Sequence, residues 1–392
     1  MVCQLVAAKV LLLINLACEP LQAAENKSTP RISRPSNLSL QLEVQAALDR
    51  SLDWLAKSQD AKGFWSRADT PAITALALTS LQGDPSERAP KQHAAVLRRG
   101  YAWLLTNVKP DGGIYATNYP NYNTAVSMMA LLAARNPEYD GTLRQARAYL
   151  IGLQSDFGEK GKLDDPFDGG IGYGSKGPHS DMSNTLLALE ALYHSKHLAQ
   201  DTALAGAKDL NWDAVIAFVQ NCQNLPSHNR QPWATGDPVD KGGFIYSPNE
   251  SKAPEGKLAD GRVALRSYGS MSYAGLLSYI YADLKTDDPR VKAVLDWLGA
   301  NYTLEENPGL GQQGLYYYFH TMTKALTAAR LDELPLKDGQ LVNWRRDLAQ
   351  RLLNLQSADG SWANENNRWM EKDPALATAY AAITLTMIHR GL

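Results

Sequence analysis

The residues of this 392-residue chain that could do chemistry fall into a few short clusters. They are Asn121-Tyr122-Asn123, His179-Ser180-Asp181, Arg266-Ser267-Tyr268, Tyr316-Tyr317-Tyr318 with His320, and Asp373. Asp181, Tyr268, His320 and Arg266 are candidates for catalysis. Tyr122, Asn123, His179, Tyr316, Tyr317, Tyr318 and Asp373 are candidates for ligand contact. Two chemistries suit these types. A carboxylic acid among aromatic rings can protonate an apolar substrate while the ring faces stabilise the cation formed. Asp181 would be that acid, with His320 as its partner. Alternatively, Tyr268 could abstract a proton beside a carboxylate that Asn123, Arg266 or His320 neutralises. Each residue also has a structural role open to it. Asp181 and Asp373 suit helix N-caps, His320 lies near Met322 and Leu326 on an apolar face, and Arg266 suits a surface.

The elements that would position these clusters are helices in pairs. An amphipathic helix is expected from about Leu42 to Ser58, with Val44, Ala47, Leu48, Ser51 and Leu55 on one face. A turn at Gly63 follows, and Pro71 suits the first turn of the next helix. That helix, Pro71-Ala-Ile-Thr-Ala-Leu-Ala-Leu-Thr-Ser-Leu81, has no polar face and must be buried on two sides.

The same grammar returns five times. Reference glycines at Gly63, Gly113, Gly170, Gly243, Gly314 and Gly360 mark six helix–turn–helix units of irregular spacing. The variation falls in the connections, above all Asn224 to Arg262. One-sided helices alternating with two-sided ones imply two concentric layers, with amphipathic helices outside and apolar helices inside. Six pairs suffice to close a ring. The chemical clusters all stand where inner helices begin, so they would converge at the mouth of a central cavity.

The joints carry a motif. Trp54-Leu55, Gln59 and Gly63-Phe-Trp65 form its fullest copy. Tyr149-Leu150 with Gln154, and Phe218-Val219 with Gln223, keep the first half, while Gln356 with Gly360-Ser-Trp362 keeps the second. Val108 and Tyr302 replace Gln in the second and fifth units. Over residues 42–390 the chain resembles the terpenoid cyclase and protein prenyltransferase superfamily, including squalene-cyclase-like repeat proteins. That resemblance implies an all-α fold, an α/α toroid of six helix hairpins in two rings. It also implies that the Gln and Trp residues tie repeats together and are not catalytic. The superfamily's Asp-x-Asp-Asp acid string does not occur here, and Asp164-Asp165 with Asp168 read as a solvated turn. Its zinc site is unsupported, because Cys222 is the sole cysteine of the repeat region and sits on an outer helix. His194 and His197 suit a helix C-terminus. No metal and no cofactor are expected.

A net charge of -2 gives no electrostatic footprint for nucleic acid. Lys9 and the short apolar run Val10–Ala17, followed by Ala23-Ala24, suit an export signal over residues 1–24. A Pro- and Ser-containing lead-in would span 25–40 and the toroid 41–392. The expected location is secreted or periplasmic, with Cys18 as a site for lipid anchoring and peripheral membrane association left open. The expected partner is a small apolar or isoprenoid-like ligand in the central cavity, bound or transformed there. A polysaccharide lyase-like enzyme and a non-enzymatic scaffold using the 224–262 loop are the alternatives.

Overall fold

A computed structural model describes residues 37–174, 179–200 and 209–392. The leader residues, including Cys18, lie outside the described residues. Twelve helices make up the hairpins: α1 (Leu38–Lys57), α2 (Pro71–Gln82), α3 (Ala94–Leu105), α4 (Pro120–Ala134), α5 (Asp140–Ile151) and α6 (Met182–His194) in the first half, then α7 (Trp212–Asn221), α8 (Gly269–Tyr281), α9 (Pro289–Ala300), α10 (Leu315–Ala328), α11 (Trp344–Leu355) and α12 (Pro374–Gly391). Odd-numbered helices are outer and even-numbered ones inner. The inner helices pack in the order α2, α4, α6, α8, α10, α12, and α12 packs back on α2, so the ring closes. Two short antiparallel ribbons, 256–257 with 263–264 and 334–335 with 341–342, decorate the connections.

Burial follows the two-layer pattern. In α2 only Thr79 and Gln82 are not buried, whereas α1 buries a single stripe of Val44, Ala47, Leu48, Ser51, Leu52 and Leu55. An outer helix needs one apolar face for the inner ring, while an inner helix needs apolar surface nearly all round. Helix α1 begins at Leu38, inside the expected lead-in. Helices α4 and α10 also begin earlier than their apolar runs suggest, so Asn121–Asn123 and Tyr316–Tyr318 lie within first turns.

The joints explain the motif. Gln59 donates to the carbonyls of Gly63 and Val96, both at 3.0 Å, tying its own turn to the next outer helix. Gln154 donates to Gly169 and Asn211, Gln223 to Gly242 and Arg290, and Gln356 to Gly360 and Ala47. The last of these closes the sixth repeat on the first. Trp65 and Trp362 each donate from the indole to a carbonyl in the helix before, Leu55 at 2.7 Å and Leu352 at 2.9 Å. A hydroxyl on the inner helix completes the joint by accepting from the turn: Thr74, Thr124, Thr185, Ser272 and Thr378 play this part in five hairpins. The fifth hairpin, where Tyr302 replaces Gln, lacks such a bond among the described residues.

The glycine register needs correcting by one residue in three repeats, and in the fifth Gly314 is the N-cap of α10 and meets Trp369 instead of a carbonyl of the next outer helix. The positions equivalent to Gly63 and Gly360 are Gly112, Gly169 and Gly242, all with positive φ, rather than Gly113, Gly170 and Gly243. At Gly169 a Cβ would fall on the Ala214 carbonyl of the next outer helix, so the site excludes a side chain twice over. Asp168 also departs from the solvated-turn reading. It is 2% exposed and accepts from the backbone of Phe157, Asp164 and Asp165, which a loop needs when it folds back on the ring.

Gly161 provides a control for Gly169, since it too has positive φ but open space around its Cβ position. Gly161→Ala should cost about 1 kcal/mol and Gly169→Ala at least ~3 kcal/mol in denaturant unfolding. Equal losses at the two positions would mean the close approach to α7 is unimportant.

Candidate functional site

Asp181 caps α6 and is fully buried. Its carboxylate accepts from the Asn184 backbone at 2.9 Å and from the Asn184 amide at 2.8 Å. Burial pushes its pKa up to about 6, and the two Asn184 bonds, the His179 charge and the Tyr246 hydroxyl only partly offset that. His179, nearly half exposed, places Nε2 3.9 Å from the carboxylate. Its ring stacks on Tyr173 with centroids 6.2 Å apart, and it stands equally far from Tyr246. Tyr119 extends this row, 5.2 Å from Tyr173. Tyr173 and Tyr246 were not singled out from the sequence for a site, yet each stands three residues after Gly170 or Gly243. That shared spacing is the signal that could have found them.

Contacts within the ring reveal an interior. Ser183 on α6 and Tyr317 on α10 bring their hydroxyls within 3.1 Å, although α8 separates those helices in the ring. One level down, Lys324 of α10 pairs with Glu190 of α6 at 2.8 Å across the same inner face. On the opposite side Tyr122 of α4 hydrogen-bonds Tyr380 of α12, passing α2. Tyr122, Met129, Ser183, Leu187, Tyr317 and Lys324 all keep accessible surface, at helical one-face spacing. Inner helices packed by an outer layer can show such a stripe only toward a central cavity.

The remaining candidates fall in several places. Tyr317 faces this interior, and burial raises its pKa to about 12. Its neighbours on the same helix turn elsewhere, since residues on successive helical positions point about 100° apart. Tyr318 donates to the Thr303 carbonyl at 2.9 Å, and Tyr316 reaches the Ala363 carbonyl. Tyr268 is buried, and burial holds its phenol well above the ordinary range. His320 packs 5.0 Å from Tyr380, and burial, helped by Lys324, drives its pKa down, so it is neutral. Asn123 accepts from the Ala72 backbone and donates to Asn118 and Tyr119 carbonyls, linking the starts of α2 and α4. Asp373 caps α12 and bonds Ser66. Arg266 departs furthest from a shared site. It pairs at 2.5 Å with buried Asp240 in a separate 240 Å³ groove against Trp297 and Pro308. A pairing 26 residues apart along an irregular loop leaves no periodic trace in the sequence.

Glu371 is a buried carboxylate that sequence reasoning missed. It accepts from the backbone of Tyr316 and Tyr317 and from Asn364, so a residue of the sixth hairpin caps the inner helix of the fifth. Burial raises its pKa against those bonds. Among the described residues no cluster of three His, Cys, Asp or Glu is assembled that could hold a metal.

A type II terpene cyclase from Scytonema, bound to geranylgeranyl dihydroxybenzoate, is similar at a TM-score of 0.51 and 12% identity, over 91% of this chain and all of the other. The chain is an α/α toroid. A GH76 α-mannanase from Bacteroides thetaiotaomicron is similar at 0.53 and 12% identity over 90% of this chain and 98% of its own. A possible GH105 member from Salmonella enterica reaches 0.55 at 12% identity, over 94% of this chain and all of its own. At such identities the toroid's likeness to them is one of fold. No protein-family model and no curated protein matches the sequence.

The burial of Asp181 in this toroid carries a pH signature. A folded pKa near 6 against an ordinary 3.8 means the folded state holds the proton more tightly. Stability is therefore greatest below about pH 4 as far as this group is concerned, and falls as pH rises through 6. The fall amounts to roughly 3 kcal/mol at about 1.4 kcal/mol per unit. Asp181→Asn keeps a capping side chain but cannot ionise. Unfolding at pH 4 and pH 7 should show the variant gaining on the wild type only at pH 7. A gain equal at both values would contradict the account.

Proposed function

We propose that the central cavity binds an apolar, isoprenoid-class ligand and that Asp181 delivers a proton to it. The observation that carries this reading is the buried Asp181 carboxyl, raised to about 6 beside Tyr246 and two residues before Ser183, which meets Tyr317 across the ring. A carboxyl with that pKa is half protonated near pH 6 and still about one-tenth protonated at pH 7, far more than an ordinary aspartate, so it can act as an acid. Its proton would pass to an alkene carbon of the ligand, leaving the Asp181 carboxylate and a carbocation. The faces of Tyr317, Tyr122 and Tyr380 can stabilise that cation. Loss of a proton from the product cation to the carboxylate would restore the acid, so the net reaction is an isomerisation or cyclisation. Apolar side chains such as Met129 and Leu187 suit the hydrocarbon body of the ligand. The likeness of fold to a terpene cyclase supports the reading without identifying a substrate.

The uronate-lyase alternative finds less support. Its base, Tyr268, is a buried phenol with a raised pKa, which makes proton abstraction harder. Arg266 is already paired with Asp240, His320 is neutral, and the Asn123 amide is fully engaged in backbone bonds. The same proposal takes the protein to act outside the cytoplasm, resting on the basic-then-apolar leader alone.

The test is binding followed by turnover. Purified protein titrated with farnesol should quench tryptophan or tyrosine fluorescence saturably. Asp181→Asn should keep that binding, while farnesyl-chain products formed by the wild type should fall at least ~100-fold. Absence of saturable binding to any isoprenoid alcohol or diphosphate would overturn the proposal. Equal product formation by Asp181→Asn would leave binding intact but remove the acid.

A further inference from the structure

The Glu190–Lys324 pair stands out among the interior contacts. An ion pair on otherwise apolar inner helices is expensive to bury, and hydrophobic residues of similar size often serve stability as well or better. Glu190 is 4% exposed, and both its oxygens lie within 2.9 Å of Lys324 Nζ. The two residues come from helices that do not touch as ring neighbours, so their side chains must meet inside the ring. Their aliphatic stems and charged heads therefore occupy cavity space that apolar packing would otherwise leave open.

Position along the helices gives this bar a meaning. Asp181 sits at the N-terminal end of α6 and Glu190 nine residues further on, about 13 Å along the axis at ~1.5 Å per residue. Between them lies Leu187, which keeps accessible surface, so there is space above the pair. Below Ser183 on α6, Leu187 is the side chain that keeps accessible surface before the level of Glu190. A hydrocarbon chain entering past Asp181 would then meet a fixed pair of charges. Extending beyond it would either part the pair or strip one member of its partner, and both are costly in a buried site.

We infer that Glu190 and Lys324 form the floor of the ligand chamber and set the greatest chain length it accepts. This inference rests on the proposed apolar ligand and deepens it: the substrate class is a short prenyl chain, one that ends within about 13 Å of the acid. The pair is a specificity-determining element and takes no part in proton transfer. His320, one turn above Lys324 on the same helix, borders the floor as a neutral group.

The test uses three alcohols of rising length, geraniol, farnesol and geranylgeraniol, titrated against the wild type and two double variants. Glu190→Leu/Lys324→Met replaces the bar with apolar side chains, and Glu190→Ala/Lys324→Ala removes it. Both avoid stranding a single buried charge, and circular dichroism melts check that each folds. The wild type should hold geranylgeraniol at least ~10-fold more weakly than farnesol, and either double variant should abolish that gap. A second readout needs no ligand. Thermal melts of the single variants Glu190→Gln and Lys324→Met and of their combination should show strong non-additivity, because each single change leaves the other charge unpaired. If the wild type binds all three alcohols alike, or a folded double variant keeps the gap, the floor is wrong while the apolar-ligand reading stands. If no alcohol binds any form, the reading itself fails and the floor with it.

Discussion

Five of the six hairpins depend on one backbone contact at the turn between outer and inner helix. A glycine of positive φ lets the turn press against a carbonyl of the next outer helix, as Gly63 does at Arg99 and Gly360 at Arg50. The glutamine amide then bonds both sides of that contact, and a hydroxyl on the inner helix satisfies the turn's own N–H. Hydrogen bonds that leave no buried polar group unpaired are what allow a helix end to be packed without loss. Because Gln356 repeats the device against Ala47, the last hairpin meets the first and the ring has no free edge.

Closure has a consequence for the interior. Six inner helices already buried on their outer sides turn one remaining face to the axis, and what stands there is partly polar. Ser183 with Tyr317, Tyr122 with Tyr380, and Glu190 with Lys324 each meet across an intervening inner helix, while neutral His320 packs on Tyr380 of the neighbouring helix. Asp181 sits at the rim of this space, capping α6 with one oxygen and holding Asn184 with the other. Capping alone is served by an exposed aspartate. Full burial adds an electrostatic cost that the cap does not require, and that excess is what supports the chemical role proposed for Asp181. Backbone strain also gathers in connections that precede inner helices, where Tyr119, Trp369 and Met370 hold left-handed φ without being glycine.

The fold was legible because its determinants are local and repeated. The contrast between one-sided α1 and two-sided α2 can be read from apolar spacing, and Trp54, Gln59 and Trp65 announce the joint. The exact glycine was harder, since Gly112-Gly113, Gly169-Gly170 and Gly242-Gly243 offer two adjacent choices that only φ and the neighbouring carbonyl separate. The site was legible in part. Asp181 could be recognised as a cap before an apolar run, but its burial depends on Tyr173 and Tyr246, which arrive from two different connections. Arg266 looked available until the long loop brought Asp240 to it. Glu190 and Lys324 are separated by 134 residues, and on their own helices each reads as an ordinary polar position. Long-range partners of this kind leave no pattern in a single sequence.

The central claim is that Asp181 is a buried carboxyl that keeps its proton up to about pH 6, well above the ordinary aspartate range. Infrared difference spectra of wild type minus Asp181→Asn, recorded across pH, isolate the C=O stretch of this one acid. The account predicts a protonated-carboxyl band that disappears with a midpoint near pH 6, where burial places it. A midpoint in the ordinary range for aspartate, near 4, would show a solvated cap with no special acidity and would contradict the account.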